Sequence, residues 1–319
     1  MRAWQVHTHG EPRDALRLVE IDAPEPGPGE LRVRVDAAGV GMPDVFMCRS
    51  TYAFSPPVPF VPGQEVCGIV DAVGEGVEQS AFAPGTRVMG VTGFVDGRGG
   101  FAETTIVPAA SAYRVPDTMT AVDAASFRIG YSTAWIGLVR RGALQPGESL
   151  LVLGAAGGSG ITAVQLGHAL GARVIAVAAG TEKLAFCERL GADVTIDRTA
   201  EPPPTADVVY DPVGGELAAA ALRAMAKGGR FLAVGFASGT WVQADTHDLV
   251  RCNQSLVGVY AGGYTREENE ADHEALLALA ADGKLDGFAT TVSFDELPAA
   301  MEAVAAGTVV GKMVVQLTP

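Results

Sequence analysis

The stretch LLVLGAAGGSGITAVQLGHALGARVIAV, residues Leu150–Val177, is the most informative segment of this 319-residue chain. It reads as an apolar strand, a glycine turn, a helix and a second apolar strand, which together form one βαβ unit. The glycines allow the backbone to approach a pyrophosphate closely, and the first N–H groups of the helix attract an anion. The stretch therefore predicts a dinucleotide-binding turn. The alternative is a tight turn that holds no ligand.

Strands continue to alternate with helical segments on both sides of this turn. The helical segments are rich in alanine and leucine, and glycine closes them, as is common at helix C-termini. This alternation predicts right-handed crossovers and a doubly wound parallel sheet, which is the α/β fold class. The predicted strands are Leu150–Leu153, Arg173–Val177, Val194–Ile196, Asp207–Tyr210, Arg230–Val234 and Ser255–Tyr260.

The two ends of the chain have a different texture from the middle. Up to about residue 120, short β-branched segments end in glycine or proline, which is typical of a barrel or sandwich with bulged strands. After residue 262, a charged helix precedes two short β-like pieces that flank a last helix. We therefore predict a β-rich substrate domain from residues 1–122 and 263–319, and a Rossmann domain from residues 123–262.

Composition and charge limit the partners of this chain. Its net charge of −14 argues against nucleic acid and against an anionic membrane surface, so a small molecule is the expected partner. The four cysteines form no CxxC pair, which suits a reducing compartment. We find no signal peptide at the N-terminus and no apolar run of about 18 residues. We expect a soluble, cytoplasmic protein.

The residues after the second strand of the βαβ unit indicate which nucleotide is bound. An NAD-preferring site places a carboxylate there for the ribose 2′-hydroxyl, whereas this chain has Ala178, Ala179 and Gly180. With Lys183 and Arg198 nearby, the pattern favours NADPH. The negative charge of Glu182, which lies among these residues, opposes that choice. The alternative is that Lys183 at a helix start and Arg198 in a loop are simply exposed to solvent.

Seven short motifs are spread over essentially the whole chain. They are PFVPGQEVCGIVDAVGEGV (59–77), GYSTAWIGL (130–138), GAAGGSG (154–160), DPVGG (211–215), KGGRFLAVGFASG (227–239), SLVGVYAGGY (255–264) and VVGKMVV (309–315). In order and spacing they resemble the zinc-independent medium-chain dehydrogenase/reductases, specifically the zeta-crystallin-like quinone oxidoreductase branch.

The resemblance implies a GroES-like substrate domain, a Rossmann domain and a cofactor in the cleft between them. It also implies a homodimer that forms through the edge strand Ser255–Tyr260, because an exposed edge has unpaired backbone groups. The residues that it nominates on the cofactor side are Tyr52, Thr133, Gly157, Gly158, Ser159, Gly160, Gly180, Lys183, Arg198, Gly235 and Lys312.

Zinc-dependent members of the superfamily have a cysteine and a histidine where this chain has Gly41 and Gln64. Glycine cannot bind a metal, and an amide is a poor zinc ligand beside imidazole or thiolate. The segment FRIGYS (127–132) lacks the third ligand. We therefore expect no metal. Glu65, which sits behind the metal in zinc enzymes, is expected to brace the fold or a backbone turn, with a direct role as the alternative.

Without a metal, the easier reaction is the reduction of an electron-poor acceptor. A quinone or an α,β-unsaturated carbonyl takes hydride from NADPH directly, while hydrogen-bond donors stabilise the developing oxyanion. The candidate catalytic donors are Tyr52 and Tyr131, although packing against neighbours is the alternative role for each. Enoyl-thioester or pathway-specific enoyl reduction, and a catalytically weak NADPH-binding structural or regulatory protein, are the alternative functions.

Most of the candidate substrate contacts are positions at which this chain departs from its relatives. Asp44 is instead chosen because it lies on the same loop as Gly41 and Met42, and a structural salt link or solvent exposure is its alternative role. Gly41 and Met42 replace an Asn-aromatic pair, and Gly130 replaces a second asparagine before Tyr131. We predict Gly41, Met42, Asp44 and Arg128 as substrate contacts. The loss of two amides from a polar cleft would change which carbonyl is recognised, and the acceptor itself stays open at this point.

Overall fold

The structure is a computed structural model that describes residues 1–199 and 203–317. Its strands are β1 (Arg2–Val6), β2 (Leu16–Glu20), β3 (Glu30–Val40), β4 (Glu65–Val73), β5 (Arg87–Val91), β6 (Thr104–Pro108), β7 (Ala112–Arg114), β8 (Ser149–Leu153), β9 (Arg173–Ala178), β10 (Val194–Asp197), β11 (Val208–Asp211), β12 (Arg230–Ala233), β13 (Ser255–Gly258), β14 (Ala289–Ser293) and β15 (Lys312–Gln316).

The α-helices are α1 (Pro12–Ala15), α2 (Met42–Cys48), α3 (Gln79–Phe82), α4 (Ala121–Trp135), α5 (Gly158–Ala169), α6 (Thr181–Arg189), α7 (Gly215–Ala224), α8 (Thr246–Cys252), α9 (Arg266–Ala281) and α10 (Leu297–Ala305). A π-helical segment, Ile136–Arg141, continues α4. Short 3₁₀ turns lie at Phe94–Asp96, Ala109–Ser111, Ala261–Gly263 and Phe294–Glu296. Across the part of the chain that is described, no helix is both long and apolar enough to span a bilayer.

The chain divides into two compact units. The first comprises Met1–Ile129 and Phe288–Pro319, and the second comprises Gly130–Gly287. These bounds differ from the predicted domain limits at 122/123 and 262/263. Residues 123–129 belong to the first unit, because the division falls inside α4, and residues 263–287 belong to the second.

Helix α9 explains the second of these differences. Its Asp272 pairs with Arg140 at 2.7 Å, and its Leu276 is fully buried. Both Arg140 and α9 lie in the second unit. The charged sequence of this helix shows that one face is solvated, but it does not show which core the other face covers.

The second unit contains a six-stranded sheet in the order β10-β9-β8-β11-β12-β13, in which every neighbouring pair is parallel. The predicted parallel sheet is confirmed. All six predicted strands are present, and the last ends at Gly258 rather than Tyr260. Helices cover both faces: α5 packs on Leu150, whereas α7 shares a buried cluster with Leu151, whose side chain points to the opposite face.

The first unit is the β-rich one. Its strands follow the order β14-β15-β3-β4-β5-β7, and β6 pairs with β3. The long β3 shifts register against β4 at Arg32/Val33 and again at Val35/Ala37, so the strand is bulged as the sequence predicted. A buried apolar cluster joins these strands to α2 and α10.

Candidate functional site

The glycine turn follows β8 at the carboxyl edge of the parallel sheet. Gly154 has a φ of +58°, a conformation that favours glycine, and the N–H of Gly157 donates to the carbonyl of Gly154 at 3.0 Å. A Cβ on Gly160 would lie 2.3 Å from that same carbonyl oxygen. Only glycine therefore allows α5 to begin so close to the turn, which is the geometry that admits a pyrophosphate.

The first turn of α5 offers backbone N–H groups to an anion. The residue that caps this helix is Gly157, which has no side chain to accept a hydrogen bond. The first N–H groups of a helix have no acceptor within the helix, and its dipole places positive charge there. Gly158, Ser159 and Gly160 are the residues of this turn. This end of α5 therefore fits a phosphate.

The crossing of α4 and α5 explains the glycine at position 130. A Cβ there would lie 2.9 Å from Cγ2 of Thr162, a fully buried side chain. The Thr162 hydroxyl donates to the carbonyls of Gly130 at 3.1 Å and Ser159 at 2.8 Å. The packing of the two helices therefore favours glycine at position 130, and the effect of a lost amide on acceptor recognition stays a prediction.

The ends of β9 and β10 form a second polar region of the sheet edge. Ala178 lies opposite Asp197 in the parallel register, so the Asp197 carboxylate reaches the position after β9. It accepts hydrogen bonds from the Gly180 N–H at 2.9 Å, and from the Thr199 hydroxyl at 2.7 Å and N–H at 2.9 Å. These bonds, first those of Thr199, lower the pKa of Asp197 to about 2.

Sequence reasoning missed Asp197. The carboxylate expected from sequence would follow β9 along the chain, whereas Asp197 comes from the neighbouring strand β10. The signal was present, because the predicted strand Val194–Ile196 is followed directly by Asp197. In a parallel sheet the ends of adjacent strands meet at the same edge.

Lys183 and Arg198 belong to the same edge. Burial, and next the positive charge of Arg198, lower the pKa of Lys183, so the two cations are close enough to repel each other. The Arg198 N–H donates to the carbonyl of Ala178 at 2.8 Å, which fixes its backbone at the end of β9. A dianionic phosphate placed between two such cations would relieve their repulsion.

Gly235 lies in the loop that follows β12. Its N–H donates to the carbonyl of Asp211 at 3.1 Å, so the loops after β11 and β12 are joined at the sheet edge. Thr133, in contrast, lies half-buried on α4. The structure thus places Gly235 at the same edge as the glycine turn, while the predicted cofactor contact of Thr133 stays a prediction.

In the first unit, Asp44 is a buried carboxylate on α2. Its two oxygens accept hydrogen bonds from the N–H groups of Gly41 at 2.9 Å and Gly63 at 3.1 Å. Burial raises the pKa of Asp44 to about 7, against the opposing effects of these bonds and of the Lys312 charge. Asp44 here joins two backbone segments, and its contact with substrate stays a prediction, as do those of Gly41 and Met42.

Glu65 and Lys312 form a buried ion pair between β4 and β15. The Lys312 ammonium contacts Oε1 of Glu65, while Oε2 accepts a hydrogen bond from the Ile129 N–H at 3.0 Å. The carboxylate therefore links three parts of the first unit, as expected of a residue that braces the fold. Lys312, nominated as a cofactor contact, has its charge directed to Glu65 in this structure.

The aromatic and cationic candidates differ in exposure. Arg128 is 9% exposed, and its guanidinium lies over the Tyr113 ring at 4.6 Å. Tyr131 is only 2% exposed. Tyr52 is half-buried, and its ring meets the Phe54 ring edge-on at 5.6 Å between centroids. The catalytic roles of Tyr52 and Tyr131 and the substrate role of Arg128 stay predictions.

The residues at the expected zinc position do not fit a zinc ion. Gly41 has no side chain that could bind a metal, and the Gln64 amide faces the Met47 sulfur at 3.8 Å. The adjacent carboxylate of Glu65 already holds Lys312. Within residues 1–199 and 203–317, no group of three His, Cys, Asp or Glu side chains could hold a metal. These side chains do not fit zinc at the position of Gly41 and Gln64, and the absence of a metal stays a prediction.

Known protein families match part of each unit of the chain. The alcohol dehydrogenase GroES-like domain matches residues 27–117, and a family described as zinc-binding dehydrogenase matches residues 158–282. A quinone oxidoreductase-like protein 2 homolog of Nematostella vectensis is 34% identical over 91% of this chain and 82% of its own length.

Among the similar solved structures, two align with this chain over almost its full length and over the full length of their own chains. A mycobacterial protein complexed with NADPH has a TM-score of 0.91 and 29% identity, covering 99% of this chain and 100% of its own. The quinone oxidoreductase of Thermus thermophilus, described with its NADPH complex, has a TM-score of 0.82 and 30% identity, covering 99% and 100%. The GroES-like and Rossmann folds are confirmed, and this chain belongs to the medium-chain dehydrogenase/reductase superfamily.

Proposed function

We propose that this protein is an NADPH-dependent oxidoreductase that reduces a quinone or an α,β-unsaturated carbonyl without a metal. The observation that carries the proposal is the edge of the parallel sheet, where the uncapped first turn of α5 and the cations Lys183 and Arg198 occur together. The NADPH named for two similar structures supports it.

The choice of NADPH depends on the charges after β9 and β10. Lys183 and Arg198 supply positive charge for a ribose 2′-phosphate, and Ala178 adds no repulsion. Asp197 is the opposing charge, but three hydrogen-bond donors from Gly180 and Thr199 already engage it. We therefore give the two cations the larger effect.

The residues of this chain favour hydride transfer to an activated acceptor. NADPH would supply the hydride when bound. The protein has to hold the dinucleotide by its phosphates, orient the acceptor and supply a hydrogen-bond donor for the developing oxyanion. We propose the Tyr52 hydroxyl as that donor. A Tyr52→Phe variant should then lower kcat while the Kd for NADPH is unchanged.

The acceptor class is tested by NADPH oxidation against matched compounds. The panel contains benzoquinones and naphthoquinones, simple enones, an enoyl thioester, and for each compound its saturated analogue as the control. Turnover of quinones or enones supports the proposal. Turnover of the thioester alone identifies an enoyl-thioester reductase. Tight NADPH binding with no turnover of any acceptor overturns the proposed enzymatic activity and favours a nucleotide-binding protein.

The cofactor choice is tested on the two cations. Replacing Lys183 and Arg198 together by alanine should raise the Kd for NADPH by about 30-fold, because each charge-assisted bond to phosphate contributes about 1 kcal/mol at this exposed edge. The Kd for NADH should stay within twofold. Arg189→Ala, on the same helix as Lys183, is the matched control. An equal increase in Kd for NADPH and NADH would refute the assignment of the two cations to the 2′-phosphate.

We also propose that the protein is a homodimer that forms through β13, the edge strand of its parallel sheet. Strand β13 ends the described sheet, and Leu256 and Tyr260 are 40% and 57% exposed beside it. Leu256→Lys should convert the dimer to a monomer in light scattering, while Leu18→Lys, an equally exposed leucine of the first unit, should not. A wild-type monomer would refute the assembly. The cytoplasmic location stays a prediction from sequence.

A further inference from the structure

Tyr210 lies on β11, far in sequence from the glycine turn, yet it reaches that turn through its hydroxyl. The side chain is 0% exposed, and its hydroxyl lies 3.1 Å from Oγ of Ser159. Its ring packs against Gly137 in the π-helical segment, where a Cβ would lie 3.2 Å from the ring. The ring is therefore held on one side while the hydroxyl points at the first turn of α5.

The direction of this hydrogen bond follows from burial. A buried phenol has to donate its hydrogen to some acceptor, since an unsatisfied O–H inside a protein is costly. Among the described residues, Ser159 Oγ is the partner that the structure records for the Tyr210 hydroxyl. Burial also raises the pKa of Tyr210, so the hydrogen stays on the phenol. Tyr210 is therefore the donor and Ser159 the acceptor.

This direction leaves the hydrogen of the Ser159 hydroxyl to be donated elsewhere. Ser159 is half-exposed and lies in the turn whose N–H groups fit a phosphate. Its carbonyl is fixed as well, because the Thr162 hydroxyl donates to it at 2.8 Å. A hydroxyl that accepts one hydrogen bond becomes a stronger donor in the next.

We propose that Tyr210 is a positioning residue for the cofactor pyrophosphate: by donating to Ser159 Oγ, it directs the Ser159 hydroxyl hydrogen to a phosphate oxygen. The inference rests on the proposed binding of a dinucleotide and adds to it one side chain that does not touch the ligand. The sequence motif could not show this, because Tyr210 lies 51 residues from Ser159.

The test is a double-mutant cycle on nucleotide affinity, with Ser159→Ala, Tyr210→Phe and the double variant. Ser159→Ala should raise the Kd for NADPH about tenfold, since it removes a charge-assisted hydrogen bond. Tyr210→Phe should raise it about threefold. The double variant should match Ser159→Ala within twofold, because Tyr210 acts through Ser159 alone.

A second ligand separates positioning from general damage to the fold. Adenosine 2′-monophosphate lacks the pyrophosphate, so its Kd should be the same for the wild type and all three variants. Tyr264→Phe, at another tyrosine of the second unit, is the matched control and should leave both affinities unchanged. Equal weakening of both ligands by Tyr210→Phe would show a structural role only.

The failure of this inference is distinguishable from the failure of the proposed function. Wild-type protein that binds neither NADPH nor NADH would overturn both. Wild-type protein that binds NADPH, with Tyr210→Phe binding it equally well, would overturn the positioning role alone. A double variant in which the two losses multiply would also overturn it, because Tyr210 would then act independently of Ser159.

Discussion

The contact between Gly130 and Thr162 gives the sharpest test of how α4 and α5 pack. A Gly130→Ala substitution alone would normally stabilise a helix interior by about 1 kcal/mol. Here the new Cβ would lie 2.9 Å from Thr162 Cγ2, whereas carbon atoms pack at about 3.5–4.0 Å. Thr162 is fully buried, and its hydroxyl hydrogen lies between the carbonyls of Gly130 and Ser159, so the side chain cannot move away freely.

The magnitude follows from these two opposing effects. Overpacking of a buried site costs about 1–3 kcal/mol. Gly130→Ala should therefore lower the free energy of unfolding by about 1 kcal/mol. In a Thr162→Ser background the obstructing methyl is absent while the hydroxyl is kept, so the same substitution should raise the free energy of unfolding by about 1 kcal/mol. The coupling between the two sites is then about 2 kcal/mol.

The assay is urea unfolding of the four proteins of this cycle, followed by circular dichroism. Thr162→Ser alone is the control for the lost methyl group, which should cost about 1 kcal/mol. Nucleotide affinity should fall in Gly130→Ala and recover in the double variant, because Thr162 also holds the Ser159 carbonyl. An effect of Gly130→Ala that is equal in both backgrounds would refute the close contact as the reason for glycine.

Three further predictions concern buried or paired charges. Burial raises the pKa of Asp44 in the folded protein to about 7, so its stabilising effect is fully present below about pH 4, and up to about 4 kcal/mol of the free energy of unfolding is lost as the pH rises through 7. Asp44→Asn should flatten this part of the pH dependence of urea unfolding. An unchanged slope would contradict the prediction. Lys312→Met should lower the free energy of unfolding by about 3–5 kcal/mol, because it leaves the buried Glu65 without its partner charge. Adding Glu65→Gln should restore part of this loss. A further loss of stability in the double variant would argue against the ion pair. Asp197→Asn should lower the Kd for NADPH about threefold at low salt, because it removes repulsion of the 2′-phosphate. NADH is the control nucleotide. An unchanged Kd for both nucleotides would place Asp197 away from the ribose.

Much of the fold could be predicted because its signals are local. Residues 150–177 contain the strand, turn and helix periods of a βαβ unit within one short segment, and the structure confirms β8, α5 and β9 there. The other strands of the parallel sheet have the same apolar pattern, which burial on both faces requires. The boundaries were less predictable: α9 has a polar face that fits either unit, and its partner Arg140 lies more than a hundred residues away in the chain.

The fold class, the glycine turn and the two kinds of unit could all be predicted from local sequence patterns. The tertiary structure decided which distant side chains meet: Asp197 beside Gly180, Tyr210 beside Ser159, and Lys312 beside Glu65, which is 247 residues away. Periodicity reports how each segment buries its own surface, so it can be read from neighbours in the chain. Contacts between segments depend on strand register and helix crossing, which are fixed only when the whole core packs.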